Sequence, residues 1–260
     1  AIVESNQFEI EINAVNDAPR IRSYIPTKLK IKGSETENFA FSINAYDIEN
    51  DNLQIKWLLD DVEKVTGSDF TFQADGIIQN HKVKVEISDS EFTTSNTWDL
   101  IVSDHPIAEN FDGETTNFNV DDSQLVSMQN VIIEKKGIGK INLLGPIDLS
   151  NVVDLDSNVM ILPYLIGINS FKYNEFNSQR ATINLYGLIF NGIPTIYHTN
   201  EYTSDFSQIN QECPSNICSN VKYNPDSRML SFDVSGFSTF KIGNPTPRTC
   251  SQLNGDICSL

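Results

Sequence analysis

The stretch Asn13-Ala-Val-Asn16-Asp17-Ala18-Pro19 decides the fold of this chain, together with Asp47-Ile-Glu49-Asn-Asp51 further along. Apolar and polar residues alternate before the first stretch, in Phe8–Ile12, and they alternate again in the segments that follow it. Alternation with a period of two is typical of half-buried β-strands. Asparagine and proline interrupt such strands. We therefore predict that one β-module ends at Asn16–Pro19 and that a new one begins there.

Length and composition define the broad class of protein. The chain has 260 residues, of which 39% are hydrophobic and 20% are charged, as expected for a globular protein of one large or two ordinary domains. Its formal net charge is −17, with acidic residues in both halves, so we expect it to repel nucleic acid and anionic lipid and to attract cations. No apolar run reaches membrane-spanning length, so we expect no membrane insertion of this segment.

Strand-like segments recur at short intervals through residues 19–104. This regular spacing predicts a β-sandwich of about seven strands. Trp57 lies in the third predicted strand, between the apolar residues Ile55 and Leu59. We therefore expect Trp57 to pack in the sandwich core rather than to stack on a ligand.

A second β-rich domain is predicted over residues 105–243. A β-sandwich is the first interpretation, and the stacked rungs of a β-helix are the alternative, because short apolar strands are evenly spaced over 131–162. The predicted fold class is thus all-β, with tandem β-sandwich modules. We expect 244–260 to be the start of a further segment and 1–18 to be a terminal strand plus a linker.

The strand within residues 1–18 has two interpretations. Phe8, Ile10 and Ile12 share one face of it, and that apolar face requires burial. If the strand belongs to a preceding module, it is the last strand of that module. The alternative is strand donation, in which it inserts into the sheet edge of an identical subunit.

Four segments resemble the cadherin-like and PKD-like immunoglobulin-fold repeats of prokaryotic cell-surface proteins, over residues 13–104. They are Val15-Asn-Asp-Ala-Pro19, Ala45-Tyr-Asp-Ile-Glu-Asn-Asp-Asn-Leu53, Trp57-Leu-Leu-Asp60 and Val85-Glu-Ile-Ser-Asp89. Residues 107–243 resemble a β-rich module that recurs in large archaeal surface proteins. These resemblances imply immunoglobulin-like modules at the cell surface, and they imply no particular enzymatic activity.

The acidic loops of the first module form the candidate metal site. In an immunoglobulin-type sandwich, the incoming chain, the loop after the second strand and the last hairpin lie at the same end. Calcium takes six to eight oxygen ligands from carboxylates and carbonyls. The candidate calcium ligands are Asn16, Asp17, Asp47, Glu49, Asp51 and Asp89. The alternative is a solvated acidic loop in which Asp and Asn serve turn formation.

The four cysteines all lie in the last fifth of the chain. Cys213 and Cys218 are close in sequence, as are Cys250 and Cys258, and no histidine lies beside them. Zinc ligation is possible in principle, but neither pair has the two-residue spacing of a zinc knuckle. We predict two local disulfides and hence an oxidising, extracytoplasmic location.

Sequence motifs of common enzymes are missing, including His-Glu-x-x-His and Gly-x-Ser-x-Gly. Gly236-Phe-Ser-Thr-Phe240 lacks the second glycine of the latter motif and lies in a strand pattern. Aromatic residues are concentrated in 164–176, where core packing is the favoured interpretation and a carbohydrate platform is the alternative.

These observations predict an extracellular structural or adhesion protein without catalytic activity. Its expected partners are neighbouring modules of the same polypeptide or identical subunits, and a surface glycan or protein. The alternative function is a carbohydrate- or protein-binding module attached to a larger secreted enzyme.

Overall fold

A computed structural model describes residues 15–244 of the chain. The chain forms two compact units: one contains the residues up to Ile31 and Glu35–Val102, and the other contains Lys32–Ser34 and the residues from Ser103 onward. The hydrogen-bonded strands of both units pair antiparallel. The prediction of an all-β protein with β-sandwich modules is confirmed.

Some of the predictions fall outside the described range. They concern the strand with Phe8, Ile10 and Ile12, the Cys250–Cys258 pair and the start of a further segment after residue 244. Within residues 15–244, no helix has the length and apolar character needed to cross a bilayer.

The strands of residues 20–103 form two sheets. Within the described range they are β1 (Arg20–Ile25), β2 (Lys30–Ser34), β3 (Asn38–Tyr46), β4 (Gln54–Leu59), β5 (Val62–Thr66), β6 (Asp69–Gln73), β7 (Asn80–Ser88) and β8 (Thr93–Ser103). The strand orders are β1-β3-β6 in one sheet and β2-β8-β7-β4-β5 in the other. Two antiparallel sheets in these orders, with a buried tryptophan on β4, have the arrangement of an immunoglobulin-type sandwich.

An aromatic cluster holds these two sheets together. Phe41 on β3 lies 6.2 Å from Trp57 on β4 and 5.4 Å from Trp98 on β8, measured between ring centroids. Both tryptophans are fully buried, so the core prediction for Trp57 is confirmed. The indole N–H of Trp57 donates to the carbonyl of Gly67 (2.9 Å), and that of Trp98 donates to the carbonyl of Pro26 (2.8 Å). Both rings are therefore buried without an unsatisfied donor.

The second unit is also built from two antiparallel sheets. In residues 103–244 the strands are β9 (Ile132–Lys135), β10 (Gly139–Leu144), β11 (Val159–Leu162), β12 (Leu165–Ile168), β13 (Arg180–Leu185), β14 (Thr195–Thr199), β15 (Gln211–Glu212), β16 (Cys218–Asn224), β17 (Met229–Val234) and β18 (Thr239–Gly243). The short helices are α1 (Asp122–Leu125) and α2 (Leu155–Asn158). The strand orders are β16-β17-β13-β10-β9 and β11-β12-β18-β14-β15.

The two sheets of this unit share one apolar core. Phe232 on β17 and Phe240 on β18 belong to different sheets, and their ring centroids lie 6.0 Å apart. The β-helix alternative for 131–162 is wrong, because β9 and β10 pair antiparallel in one sheet while β11 and β12 pair antiparallel in the other. Sheet-on-sheet packing, rather than the stacking of rungs, therefore buries the apolar residues.

The predicted Cys213–Cys218 disulfide is present at the start of β16. The two Cα atoms lie 5.8 Å apart and the bridge closes a short loop. Cys218 is buried in the core of the second unit, with Cys213 packed against that core. The bridge thus attaches the loop to the sandwich.

Replacing Trp98 with alanine tests the role of the aromatic cluster. We expect Trp98→Ala to lower the free energy of unfolding of the first unit by about 3–5 kcal/mol, because it leaves a cavity in the core. Phe92→Ala is the matched control, since Phe92 is 46% exposed, and it should cost less than about 1 kcal/mol. Urea denaturation followed by tryptophan fluorescence measures both, and equal losses for the two variants would contradict the assignment.

Candidate functional site

Three segments of the first unit bring the predicted calcium ligands to one end of the sandwich. One segment precedes β1, one follows the end of β3 and one follows the end of β7. The residues they contribute are Asn16 and Asp17 from the first, Asp47, Glu49 and Asp51 from the second, and Asp89 from the third. We call these six residues the acidic loop cluster.

Hydrogen bonds connect the segment before β1 to both loops. The Nδ2 of Asn16 donates to Oδ2 of Asp89 over 3.2 Å. The backbone N–H of Asp17 donates to Oε2 of Glu49 over 3.3 Å. The Asn-Asp pair of the opening sequence stretch therefore ties two distant loops together.

Asp47 occupies the most buried position of the loop after β3. It is only 6% exposed. Its Oδ1 accepts the backbone N–H groups of Glu49 (2.8 Å) and Asp51 (3.3 Å), which closes the turn in the way that Asp side chains commonly do. Its Oδ2 is buried and has no hydrogen-bond partner among the described residues. The same holds for Oδ1 of Asn16.

Asp89 organises the hairpin between β7 and β8 in a similar way. Its Oδ1 accepts the backbone N–H groups of Phe92 (2.7 Å) and Glu91 (2.8 Å). These bonds, with the one from Phe92 contributing most, hold the pKa of the Asp89 carboxyl below its usual value. Asp89 therefore stays ionised and faces Asn16.

The remaining acids of the acidic loop cluster lie at its surface. Asp17, Glu49 and Asp51 are exposed. Within residues 15–244, no three His or acidic ligand atoms of this cluster lie mutually within 4.8 Å. Among the described residues, the cluster thus combines two buried oxygens without partners, the buried carboxylate of Asp89 and a rim of exposed carboxylates.

A second group of titratable side chains lies where the second unit begins, and the sequence reasoning missed it. Ligand atoms of Asp104, His105 and Asp122 lie within 4.8 Å of one another. Nδ1 of His105 pairs with Asp104, and Nε2 lies 2.6 Å from the carbonyl oxygen of Val120. Both ring nitrogens therefore face acceptors, which favours the imidazolium form. The only sequence signal was the adjacency of Asp104 and His105.

The aromatic segment 164–176 is divided between core and surface. Tyr173 and Phe176 are buried, in accordance with the favoured interpretation. The hydroxyl of Tyr173 accepts the backbone N–H of Asp154 over 2.8 Å. Phe171, in contrast, is 67% exposed. Core packing thus describes only part of this segment.

Comparisons with known proteins give no family for this chain. No protein-family model matches it, and no curated protein matches it. Three solved structures illustrate the weak structural likenesses.

One is the C-terminal domain of the nuclear pore complex component NUP116 from Candida glabrata. It is 20% identical, and the match covers 45% of this chain and 82% of the NUP116 chain, with a TM-score of 0.31. The chimeric titin Z1Z2 is 8% identical and covers 90% of this chain and all of that chain, with a TM-score of 0.28. Human protocadherin-24 EC1-2 is 13% identical, and the match covers 68% of this chain and 91% of the protocadherin chain, with a TM-score of 0.23. At these scores the likenesses carry no argument, and the fold assignment rests on the sheets described above.

The His105 group predicts a pH dependence of stability. The hydrogen bond to Asp104, followed by that to Val120, raises the pKa of His105. A raised pKa in the folded state means that the stabilisation is fully present below the unfolded value of about 6.5 and is lost as the pH rises through the folded value. NMR titration of the imidazole should place its midpoint above that of an unfolded peptide.

Asp104→Asn provides the matched variant for this titration. It removes the charge of the main partner and should move the midpoint of His105 to lower pH, with an earlier loss of stability on raising the pH. An unchanged midpoint in the variant would contradict the role assigned to Asp104.

Proposed function

We propose that this chain is part of an extracellular structural or adhesion protein, in which a calcium ion stabilises the acidic loop cluster of the first sandwich. The observation that carries the calcium proposal is the buried Oδ2 of Asp47, which has no hydrogen-bond donor within residues 15–244. A buried carboxylate oxygen without a partner is costly, by about 1–3 kcal/mol or more. A bound cation removes this cost.

The chemistry of the available ligands supports a hard cation. Asp47 and Asn16 each offer a buried oxygen without a hydrogen-bond partner in the described part of the chain, and Glu49 is exposed and accepts the backbone N–H of Asp17. Calcium accepts carboxylate, amide and carbonyl oxygens in flexible geometry at roughly 2.3–2.6 Å, and it tolerates sites completed by water. Magnesium demands a stricter octahedron and sheds its waters reluctantly, so it is the less suitable ion.

The position of the cluster supports a mechanical role for the ion. The proposed ligand residues come from the segment before β1 and from the loops after β3 and β7. Two hydrogen bonds already connect these segments, one between Asn16 and Asp89 and one between Asp17 and Glu49. An ion held between these segments would fix the incoming chain to the body of the sandwich. Fixing this connection is the property required of modules that transmit force or hold a set orientation.

The extracellular location is supported by the disulfide of the second unit, and it agrees with the calcium proposal. The second unit contains the Cys213–Cys218 disulfide. Disulfides persist in oxidising compartments and are rare in cytosolic proteins. Extracellular calcium modules bind with dissociation constants of about 10⁻⁴–10⁻³ M, which suits a site with exposed rim carboxylates. The net charge of −17 adds a long-range attraction for cations.

Thermal denaturation with and without calcium tests this function. Calcium should raise the melting temperature of the first unit relative to EGTA, by the equivalent of about 2.7 kcal/mol when its concentration is about 100 times the dissociation constant. Magnesium at the same concentration should give a smaller shift. An unchanged melting curve in calcium would contradict the proposal and leave the solvated-loop interpretation.

Asp47→Asn is the decisive variant for this experiment. It preserves an oxygen for the backbone N–H groups of Glu49 and Asp51 while it removes the charge, so the fold should persist and the calcium shift should disappear. Asp75→Asn is the matched control, since Asp75 is an exposed turn residue with φ of 46°, a conformation that Asn also accepts. Loss of the shift in Asp75→Asn would indicate a nonspecific charge effect.

A further inference from the structure

A hollow in the second unit has a lining that differs from the rest of this acidic chain. It has a volume of about 380 Å³, within the usual range for small-ligand sites. Its lining includes Ser170, Phe171, His198, Asn200, Phe237 and Ser238. None of the described residues that line it is Asp, Glu, Lys or Arg, although such residues make up 20% of the chain. We call it the Ser238 hollow.

Ser238 gives the hollow a polar group without a structural partner. The residue is 6% exposed, and its Oγ is buried and has no hydrogen-bond partner among the described residues. The adjoining backbone is satisfied, because the Ser238 carbonyl accepts the N–H of Ile168 (3.1 Å) and the Phe237 carbonyl accepts the hydroxyl of Ser170 (2.9 Å). The Ser238 hydroxyl is therefore the group at this position that makes no hydrogen bond within residues 15–244.

Phe171 gives the hollow an apolar surface open to solvent. Its side chain is 67% exposed, beside Ser170, which is buried. A single exposed phenylalanine needs no functional explanation. Phe171 and Ser238 line the same hollow, so its lining combines an apolar ring with a polar residue. Ligands with an apolar face and hydroxyl edges match this arrangement.

The other polar groups of the hollow favour a ligand that both donates and accepts hydrogen bonds. Burial lowers the pKa of His198, so its imidazole is neutral near pH 7 and offers one donor and one acceptor. The amide of Asn200 and the hydroxyl of Ser238 each combine both capacities. An anion would require a surplus of donors or a positive charge, and a cation would require carboxylates. The hollow has neither.

Gly236 fixes the shape of this site. A Cβ at this position would lie 2.3 Å from the backbone oxygen of Asn177, which also lines the hollow. Only glycine therefore permits the segment before β18 to approach the segment after Tyr173 so closely. The backbone segments at Gly236 and Asn177, which lie in close contact, thus form part of the wall of the hollow.

We propose that the Ser238 hollow binds a neutral sugar unit, with the ring of Phe171 against the apolar face of the sugar and the Ser238 hydroxyl bonded to one of its hydroxyls. This site goes beyond the calcium proposal, because it lies in the other unit and uses no charged group.

Saturation-transfer NMR with methyl glycosides of glucose, galactose, mannose and N-acetylglucosamine tests the proposal on the full chain in EGTA. At least one of these probes should receive saturation from the protein. Ser238→Ala should weaken that binding by roughly 2- to 12-fold, the equivalent of one hydrogen bond, while its melting temperature stays at or above that of the wild type. Phe171→Ala should abolish the signal.

Phe206→Ala is the matched control, since Phe206 is 45% exposed in the same unit and does not line the hollow. It should bind the probes as the wild type does. Absence of saturation transfer to all four probes would overturn the proposal. Transfer that survives both Ser238→Ala and Phe171→Ala would also overturn it, because the sugar would then bind elsewhere. Neither result depends on calcium, so the two proposals fail independently.

Discussion

The contact of Phe41 with Trp57 and Trp98 is the interaction on which the first unit depends. Phe41 belongs to one sheet and the tryptophans to the other, so these rings join the two layers. Once the layers are joined, the ends of β3 and β7 and the start of β1 are carried to the same end of the sandwich. The acidic loop cluster is a consequence of this closure, because its residues lie just outside those strand ends. The apolar layer thus determines where the acidic residues gather, and this is why the proposed calcium site lies at this end of the sandwich.

Much of the fold could be predicted from the sequence where one face of a strand is buried and the other is exposed. Strands β3 and β7 show this alternation in both sequence and burial, and they belong to the strand-like segments predicted within 19–104. β5 was not predicted, because all of its residues are exposed and its apolar residues carry no periodic signal. A β-rich domain was predicted over 105–243, but the stretch from Phe111 to Phe118 lies outside the strands and contains a turn. Gly113 there has φ of 62°, which interrupts a strand.

The two candidate sites differ in how visible they are in the sequence. The acidic loop cluster could be predicted because Asp and Asn at strand ends are a recognisable pattern and the sandwich topology gives their proximity. The proximity of Asn16 to Asp89 was expected from that topology, and the hydrogen bond between them is an addition from the structure. The orphaned Oδ2 of Asp47 could not be predicted, because the burial of one oxygen depends on packing. The Ser238 hollow could not be located from the sequence, since its lining comes from separate segments, and its only signal was the carbohydrate-platform alternative for the aromatic residues of 164–176.

The charge of the chain constrains which ligands both sites can take. A net charge of −17 raises the local concentration of cations and lowers that of anionic polymers near the surface. A neutral sugar experiences no such force, so its binding would depend on contacts within the hollow and would respond little to salt, whereas calcium binding at exposed carboxylates would weaken as salt screens them. A chain with both proposed sites would attach to neutral surface glycans through the hollow, while a bound calcium ion would stiffen the connection through Asn16 and Asp17. The acidic surface would meanwhile keep non-specific anionic partners away, so that attachment depends on the fit of the hollow rather than on charge.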